Sequence, residues 1–397
     1  MKQLYKYFII GSICTSVLSC QKTFIDLNPP AQFTDAVYFT KPADFKAFAS
    51  GFYGQLPGWN FGSMDNSSDL SANSNSNGTD IGYGTIAAGN NNWGYGGIRS
   101  CNILLAKANE YKGTGDINQF VGEAYFFRAF AYFNLMKTFG GVPIVTTPLD
   151  TDSPELFAPR NSRYEVMDLV LSDLDQAISK LPTEQNIPAV DKGRISKWAA
   201  MALKAQAQLY EATWEKYVGQ ATDGDGTTVG AGSKGYDASN VNKYLASVVA
   251  TCEDIMNNGG YEIWNKNADA RMGNASSWYL FNLEDAESNP GGYTKTSNKE
   301  FILYSVYDFT LKQSGINISW TAWQLYPSRK FMDMIVCTDG LPPSKSPLFQ
   351  GYQTYVSEFQ NRDRRLVNYL YGNGTVPATI TLDFGSLGFS GYGNAKY

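Results

Sequence analysis

The chain has 397 residues and a formal net charge of −5, it contains no histidine, and 14% of its residues are aromatic. This length suffices for one large domain or two coupled layers, and the acidic balance disfavours nucleic acid as a partner. The absence of histidine from the sequence excludes serine–histidine triads, histidine general bases and histidine-ligated zinc sites, so any catalysis would use carboxylates, lysine or tyrosine.

The first twenty residues have the layout of a secretory signal that ends at a cysteine. Two lysines form a basic head, and the mostly apolar run 7–18 is too short to span a bilayer. The pattern resembles a bacterial lipobox, in which the cysteine becomes the lipid-bearing, palmitoylated N-terminus. We therefore expect residues 1–19 to be a lipoprotein signal peptide, Cys20 to be the lipid attachment site, and 20–397 to form a single domain. The alternative is an ordinary signal peptide with an incidental cysteine.

Apolar residues at helical spacing predict a mainly α fold. A helix begins within 34–53, and the following helices are predicted over 98–110, 120–139, 162–182, 196–217 and 241–256. The segment 120–139 has few polar positions, which predicts a central, nearly surrounded helix. Glycines at 140 and 141 should end it, and Ser162 with Glu165 has the spacing of a capping box. Long helices joined antiparallel are similar to stacked pairs of the tetratricopeptide kind, although the regular repeat signature is not visible.

Loops rich in Gly, Asn and Ser separate the helices and dominate the C-terminal part. Short strands are predicted at 261–264, 300–307 and 379–384. The insertion 219–235 contains two aspartates in the order expected of a calcium loop, but it lacks the remaining ligands, so an ordinary surface loop is favoured.

The cysteines and charged residues favour structural roles. Cys101, Cys252 and Cys337 are odd in number and lack CxxC spacing, so buried free thiols are expected and neither a disulfide framework nor a metal site is predicted. Glu123 and Arg128 lie on the central helix and would need partners if buried, which favours a scaffold role. No cofactor is predicted.

Five segments form an ordered series over nearly the whole chain. They are "FIDLNPP" from Phe24, "GEAYFFRAFAYFNLMKTFGGVPIV" from Gly122, "GRISKWAAMALKAQAQLYEA" from Gly193, "FMDMIVCTDGLPP" from Phe331 and "NRDRRL" from Asn361. The series resembles the SusD/RagB-like family of outer-membrane nutrient-binding lipoproteins. Because five segments match in order, the resemblance is far more specific than a match of one helix.

The resemblance implies a surface-exposed protein, anchored by lipid in the outer membrane, that binds oligosaccharides without cleaving them. It implies delivery of the ligand to a partner SusC-like TonB-dependent transporter, and in RagB-like branches the ligand is a peptide. The implied fold is a helical scaffold with long irregular loops and a few short strands that form the ligand face. Family members continue with further helices beyond the position of Tyr397, so we expect a C-terminally truncated or unusually short member.

Candidate ligand contacts follow from the shape of a sugar, whose apolar ring face stacks on an aromatic ring while polar side chains bind its hydroxyls. Such residues interleave in two regions. The candidates are Trp59, Asp65, Tyr83, Asn91, Trp93, Tyr95, Trp278, Tyr293, Trp320 and Trp323. The last two are the favoured pair, whereas Trp93 could instead pack under the next helix. A carboxylate-based glycoside hydrolase is the less favoured alternative, because no pair of carboxylates stands out.

Overall fold

The computed structural model describes residues 38–57, 70–72, 93–226, 229–306, 326–372 and 392–394. Its helices are α1 (Pro42–Ser50), α2 (Gly96–Glu110), α3 (Asn118–Phe139), α4 (Arg163–Lys180), α5 (Lys197–Val218), α6 (Asn240–Asn258), α7 (Ser276–Tyr279), α8 (Arg329–Met334), α9 (Tyr355–Phe359) and α10 (Arg364–Tyr369). Its strands are β1 (Ser71–Ala72), β2 (Tyr326–Pro327), β3 (Leu370–Gly372) and β4 (Tyr392–Asn394). The prediction of a mainly α fold is confirmed.

The sequence signals that begin and end the helices act as predicted. The Ser162 hydroxyl accepts a hydrogen bond from the backbone N–H of Glu165 at 3.1 Å, and the Glu165 carboxylate accepts one from the N–H of Ser162 at 3.1 Å. This capping box starts α4. At the end of α3, Gly140 has φ +72°, a conformation that glycine adopts without steric cost.

Helices α2 to α6 form an array in which α3 is central. Helix α3 packs against α2 and α4, α4 packs against α5, and α5 packs against α6. Tyr95, just before α2, donates its hydroxyl to the carbonyl of Pro143, just after α3, at 2.7 Å, so these two helices run antiparallel. The starts of α2, α4 and α6 therefore lie beside the ends of α3 and α5. We call this side of the array the Gly140 end and the opposite side the Tyr111 end.

Arginine–carboxylate pairs connect α3 with α4, α4 with α5, and α3 with the segment just before α5. They are Arg128 with Asp173, Arg163 with Glu211, and Arg194 with Glu123, at N–O distances of 2.7, 2.6 and 3.0 Å. Burial raises the pKa of the three carboxyl groups, although each guanidinium acts in the opposite direction. The scaffold role expected of Glu123 and Arg128 is confirmed.

We expect Asp173→Ala to lower the free energy of unfolding by about 3–5 kcal/mol, because Arg128 would stay buried without its carboxylate. Asp175, two positions along the same helix, pairs with Lys204 at 2.5 Å and its side chain is 58% exposed. Asp175→Ala should therefore cost at most about 1 kcal/mol. Urea unfolding of both variants measures the difference, and equal losses would contradict the role assigned to the buried pair.

Glu215, on α5, is a buried carboxyl group without a hydrogen-bond partner among the described residues. It is 4% exposed. Burial, and then the charge of Glu211, raise the pKa of Glu215 to about 7. Arg163 opposes this shift, but it already binds both carboxylate oxygens of Glu211. Glu215 is therefore protonated in mild acid and loses its proton near neutral pH.

The raised pKa of Glu215 predicts a stability that falls as pH rises. The pKa of Glu215 is near 4.5 in the unfolded chain and about 7 in the folded chain, so between these pH values the folded chain binds the proton more tightly. The free energy of unfolding is therefore highest below pH 4.5 and falls as pH rises through 7. We expect the free energy of unfolding of the parent protein to fall by roughly 1–3 kcal/mol between pH 5 and pH 8 because of this group. In Glu215→Gln this fall should be absent. Denaturant unfolding across this range measures it, and parallel pH profiles for the two proteins would contradict the assignment.

Residues after α6 form two small apolar clusters. The first contains Trp264, Met272 and Leu283, and the second contains Met332, Phe359, Leu366 and Leu370. They meet where α10 crosses α7, since Asn368 donates to the Ser277 hydroxyl at 3.0 Å and the Tyr369 hydroxyl donates to the Ser277 carbonyl at 2.6 Å. These two clusters form the apolar interior of the C-terminal part of the described chain.

The strand predictions for this part were wrong where the structure describes them. Segments 261–264 and 300–306 are not strands. They approach each other, but one backbone hydrogen bond joins Glu262 to Lys299, and the side chain of Glu300 binds the N–H of Trp264 in place of a second backbone bond. A side-chain partner cannot continue a ladder. The predicted strand 379–384 lies outside the described residues.

The described strands are instead short antiparallel pairs. Strand β1 pairs with β2, with Ser71 opposite Pro327, and β3 pairs with β4. Both pairs join segments distant in sequence, which period-two patterning cannot detect.

The cysteines follow the expectation in part. Cys101 and Cys337 are buried free thiols, and burial raises the pKa of Cys101 to about 12. Cys252 is exposed, because it lies on the outward face of α6, so the prediction of a buried thiol was wrong there. Among the described helices, none combines the length and apolarity that a bilayer crossing needs.

Candidate functional site

Several predicted site residues lie outside the described part of the chain. They are Cys20, Trp59, Asp65, Tyr83, Asn91, Trp320 and Trp323. Two short described segments that neighbour these residues in the sequence, 70–72 and 326–328, are hydrogen-bonded to each other. Strand β1 bonds to β2, and the N–H of Ser328 donates to the carbonyl of Leu70 at 2.9 Å. Residues 70–72 and 326–328 therefore lie together at one place in the fold.

Trp93 and Tyr95 lie half-buried at the Gly140 end of the array. The Trp93 ring stacks on Phe139 at 4.9 Å with an interplanar angle of 19°, and the Arg160 guanidinium lies 5.8 Å from its centre. Tyr95 contacts Tyr132 edge to face, in addition to its hydrogen bond to Pro143. Both rings thus use part of their surface for packing, and Trp93 packs against Phe139 of α3.

Trp278 and Tyr293 lie in the C-terminal part of the described chain. Trp278 is half-buried on α7. Tyr293 contacts Trp264 edge to face at 5.8 Å, and its hydroxyl donates to Asp269 at 3.1 Å. Loss of hydration, with this bond to a carboxylate, raises the pKa of Tyr293. The ring is held by the loop around it.

An open pocket of about 770 Å³ lies between α8 and α9. Its lining residues are Arg329, Asp333, Tyr352, Gln353, Thr354, Tyr355 and Glu358. Serine and threonine caps fix the two helices, since Ser328 accepts from the N–H of Phe331 and Thr354 accepts from the N–H of Ser357. The pocket follows β2 directly, so it is continuous in sequence with the segment that contains the favoured tryptophan pair.

One guanidinium organises the pocket. Arg329 pairs with Asp333 at 2.9 Å and with the buried carboxylate of Glu358. It also lies 4.8 Å from the centre of the Tyr352 ring, whose hydroxyl donates to Asp333 at 3.0 Å. Loss of hydration, and then this contact with Asp333, raise the pKa of Tyr352. The arrangement holds an aromatic ring and ionised groups in fixed positions at the mouth.

The pocket is braced from below by Arg362. Its guanidinium donates to the carbonyls of Met332, Ile335 and Glu358 at 2.5, 2.6 and 3.2 Å. Nearby, Asp363 forms an ion pair with Arg365, whereas Arg362 binds backbone carbonyls.

The chemistry of this pocket suits binding of a polar ligand with an apolar face. Tyr352 is 54% exposed and offers ring surface, while Gln353 and Asp333 offer hydrogen-bonding groups beside it. Sequence reasoning missed these residues, because neither Asp333 nor Tyr352 stands in a local pattern that marks a ligand contact. The clue in the sequence was an aromatic residue followed by Gln-Thr in a loop between two short helices.

Residues 60–209 match the model of a protein family described as "SusD-like_3: Starch-binding associating with outer membrane". The SusD-like protein P38 of Formosa agariphila is 43% identical over 93 residues, which cover 23% of this chain and 17% of that protein. The chain thus spans about a sixth of the length of this curated relative.

Solved structures share the fold at low sequence identity. A SusD-like carbohydrate-binding protein from Bacteroides fragilis is 20% identical with a TM-score of 0.58, and the match covers 85% of this chain and 60% of that one. A second SusD-like protein from Bacteroides fragilis is 20% identical with a TM-score of 0.56, over 86% of this chain and 62% of that one.

Proposed function

We propose that this chain is a member of the SusD-like family that binds oligosaccharides at the cell surface and hands them to a SusC-like TonB-dependent transporter. The observation that carries the proposal is the match of residues 60–209 to a family described as starch-binding and associated with the outer membrane. The proposal treats 20–397 as one binding domain that holds its ligand without cleaving it.

We propose the pocket around Tyr352 as part of the ligand face. A pyranose can stack on the exposed ring, while Asp333 and Gln353 bind its hydroxyls. Trp320 and Trp323 precede this pocket in the chain by a few positions and remain the favoured further contacts. Trp59, Asp65, Tyr83 and Asn91 are proposed as further contacts, since β1, which lies between them in the sequence, pairs with β2.

We expect Tyr352→Ala to weaken binding of a maltoheptaose probe, or of a neutral glycan found by array, about tenfold, because a stacked ring contributes roughly 1–1.5 kcal/mol. Tyr352→Phe keeps the ring and should bind within about twofold. Isothermal titration of the protein lacking residues 1–20 measures both. Equal affinities for the alanine variant and the parent would remove Tyr352 from the site.

The same titration tests the tryptophan pair. Trp320→Ala and Trp323→Ala should each reduce affinity, and the double variant should reduce it further. Full binding by the double variant would overturn this part of the site, whereas an array without any glycan hit, together with binding of peptides, would favour a RagB-like peptide-binding role.

A carboxylate-based hydrolase is a second candidate, because Asp333 and Glu358 contact the same guanidinium and so lie close together. Glycosidases use two nearby carboxyl groups, but one must donate a proton and the other must reach the sugar. Here Arg329 engages both, and Glu358 is buried, which supports binding over hydrolysis. New reducing ends after incubation with the bound glycan would reverse this conclusion.

The proposed anchor is lipid on Cys20. We expect Cys20→Ser to abolish incorporation of labelled palmitate and to release the protein from the outer-membrane fraction, since membrane retention would then lack its acyl chains. Membrane fractionation and protease shaving of intact cells measure location and exposure. Retention of the Cys20→Ser protein on the membrane would show that another element anchors it.

A further inference from the structure

A second cavity, of about 290 Å³, lies at the Tyr111 end of the array. It shares no lining residue with the pocket around Tyr352. Its walls come from the chain just before α1 and from the last turn of α2 with the loop that follows it. They include Tyr38, Phe39, Lys107, Glu110, Tyr111 and Lys112. A space of this size suits a ligand of about one sugar ring. We call it the Tyr111 cavity.

Aromatic rings form the apolar part of the Tyr111 cavity. Tyr38 and Tyr111 are half-buried, and Phe39 is buried. The Phe39 ring contacts Tyr38 edge to face at 4.8 Å and Phe45 at 5.0 Å, and Phe45 contacts Tyr111 at 5.2 Å. These four rings are one connected cluster, which offers ring surface to the cavity.

The backbone holds these rings in place. Phe39 has φ +65°, a left-handed conformation that a bulky residue rarely adopts and that persists where the surroundings fix it. On the other wall, a Cβ atom at Gly113 would lie 2.3 Å from the hydroxyl oxygen of Tyr111. The loop therefore needs glycine at position 113, because the Tyr111 hydroxyl lies against its backbone. Rings fixed in this way lose little freedom when a ligand binds.

The lining of the cavity carries more positive than negative charge, although the whole chain is acidic. Lys107 pairs with Glu110 at 3.2 Å. Lys112 is exposed, and it forms no ion pair with any residue that the structure describes. Lys41, which precedes α1 on the other wall, is exposed as well. One lysine of the lining is thus available to an anionic ligand.

Two carboxylates close in sequence to the lining are engaged by backbone groups. Asp44 accepts a hydrogen bond from the N–H of Thr40 at 3.0 Å, and Asp116 accepts one from the N–H of Asn118 at 2.9 Å. Each of them caps the start of a helix, so neither is placed to neutralise Lys112 by an ion pair.

We propose that the Tyr111 cavity binds a sugar ring that carries a carboxylate, such as a uronic acid unit of an acidic saccharide. The apolar face of the ring lies on the aromatic surface, the carboxylate pairs with Lys112, and the hydroxyls bond to Glu110 and Thr40. A phosphate ion has no apolar face and would leave the aromatic surface unused. This site is additional to the ligand face around Tyr352 and does not depend on a transporter.

The test compares methyl glucuronide with methyl glucoside, which has a neutral hydroxymethyl group in place of the carboxylate. Ligand-observed NMR titration of the protein lacking residues 1–20 measures both affinities. We expect the glucuronide to bind roughly fivefold more tightly at low salt, and the difference to shrink at high salt because Lys112 is exposed. Equal affinities at low salt would overturn the proposal.

Two variants separate the charge from the aromatic surface. Lys112→Gln should lower the affinity for the glucuronide to that for the glucoside. Gly113→Ala should weaken binding of both probes up to about tenfold, because its Cβ displaces the Tyr111 ring. The matched control is Gly96→Ala at the other end of α2, where a Cβ has no neighbour within 4 Å; it should bind like the parent.

The unfolding midpoint of each variant verifies its fold. If folded Gly113→Ala and Lys112→Gln both bind like the parent, the cavity is not the site. Equally tight binding of benzoate would overturn the saccharide assignment. Binding that appears only after deletion of residues 21–36 would show that the preceding chain fills the cavity, which would also overturn the proposal.

A last comparison keeps this inference apart from the proposed function. Tyr352→Ala should leave the affinity for the glucuronide unchanged, and Gly113→Ala should leave the affinity for the maltoheptaose probe unchanged. Loss of glucuronide binding in Tyr352→Ala would place the acidic sugar in the pocket around Tyr352 and overturn the second site, while the proposed function would stand.

Discussion

The guanidinium of Arg128 is the interaction on which the rest of the array depends. From α3 it binds Asp173 on α4, Asn102 on α2 and the carbonyl of Thr146 in the connection between α3 and α4. One buried charge thus sets the spacing of three helices and the path of a loop. A buried pair of this kind adds less net stability than an apolar contact would, but it penalises every arrangement in which the charge lacks its partners.

The helices were predictable because their signals are local. The capping box at Ser162, the glycine at 140 and the apolar spacing of 120–139 act within a few residues, and the observed boundaries agree within two residues. The sequence indicates that Glu123 and Arg128 need partners if they are buried. It does not identify those partners, because they are 71 and 45 positions away along the chain.

The residues that line the pocket could not be predicted from the sequence. Arg329 lies on α8, whereas Tyr352 and Glu358 lie just before and on α9, and their contacts depend on the brace supplied by Arg362. No periodicity links them. The strand predictions failed for a related reason, since short ladders join distant segments and a single side chain such as Glu300 can take the place of a backbone partner.

Helix α6 lies at one edge of the array, and this position determines where the array begins to unfold. This helix packs against α5 and buries only Tyr244 and Ile255, while Glu215 lies on α5. In stacked helical arrays each element is stabilised mainly by its neighbours, so the last helix is the first to detach. Above neutral pH the ionised Glu215 would favour water over its buried position. Amide hydrogens of α6 should then exchange sooner than those of α3, and the array would open from one side as a sequence of partial steps.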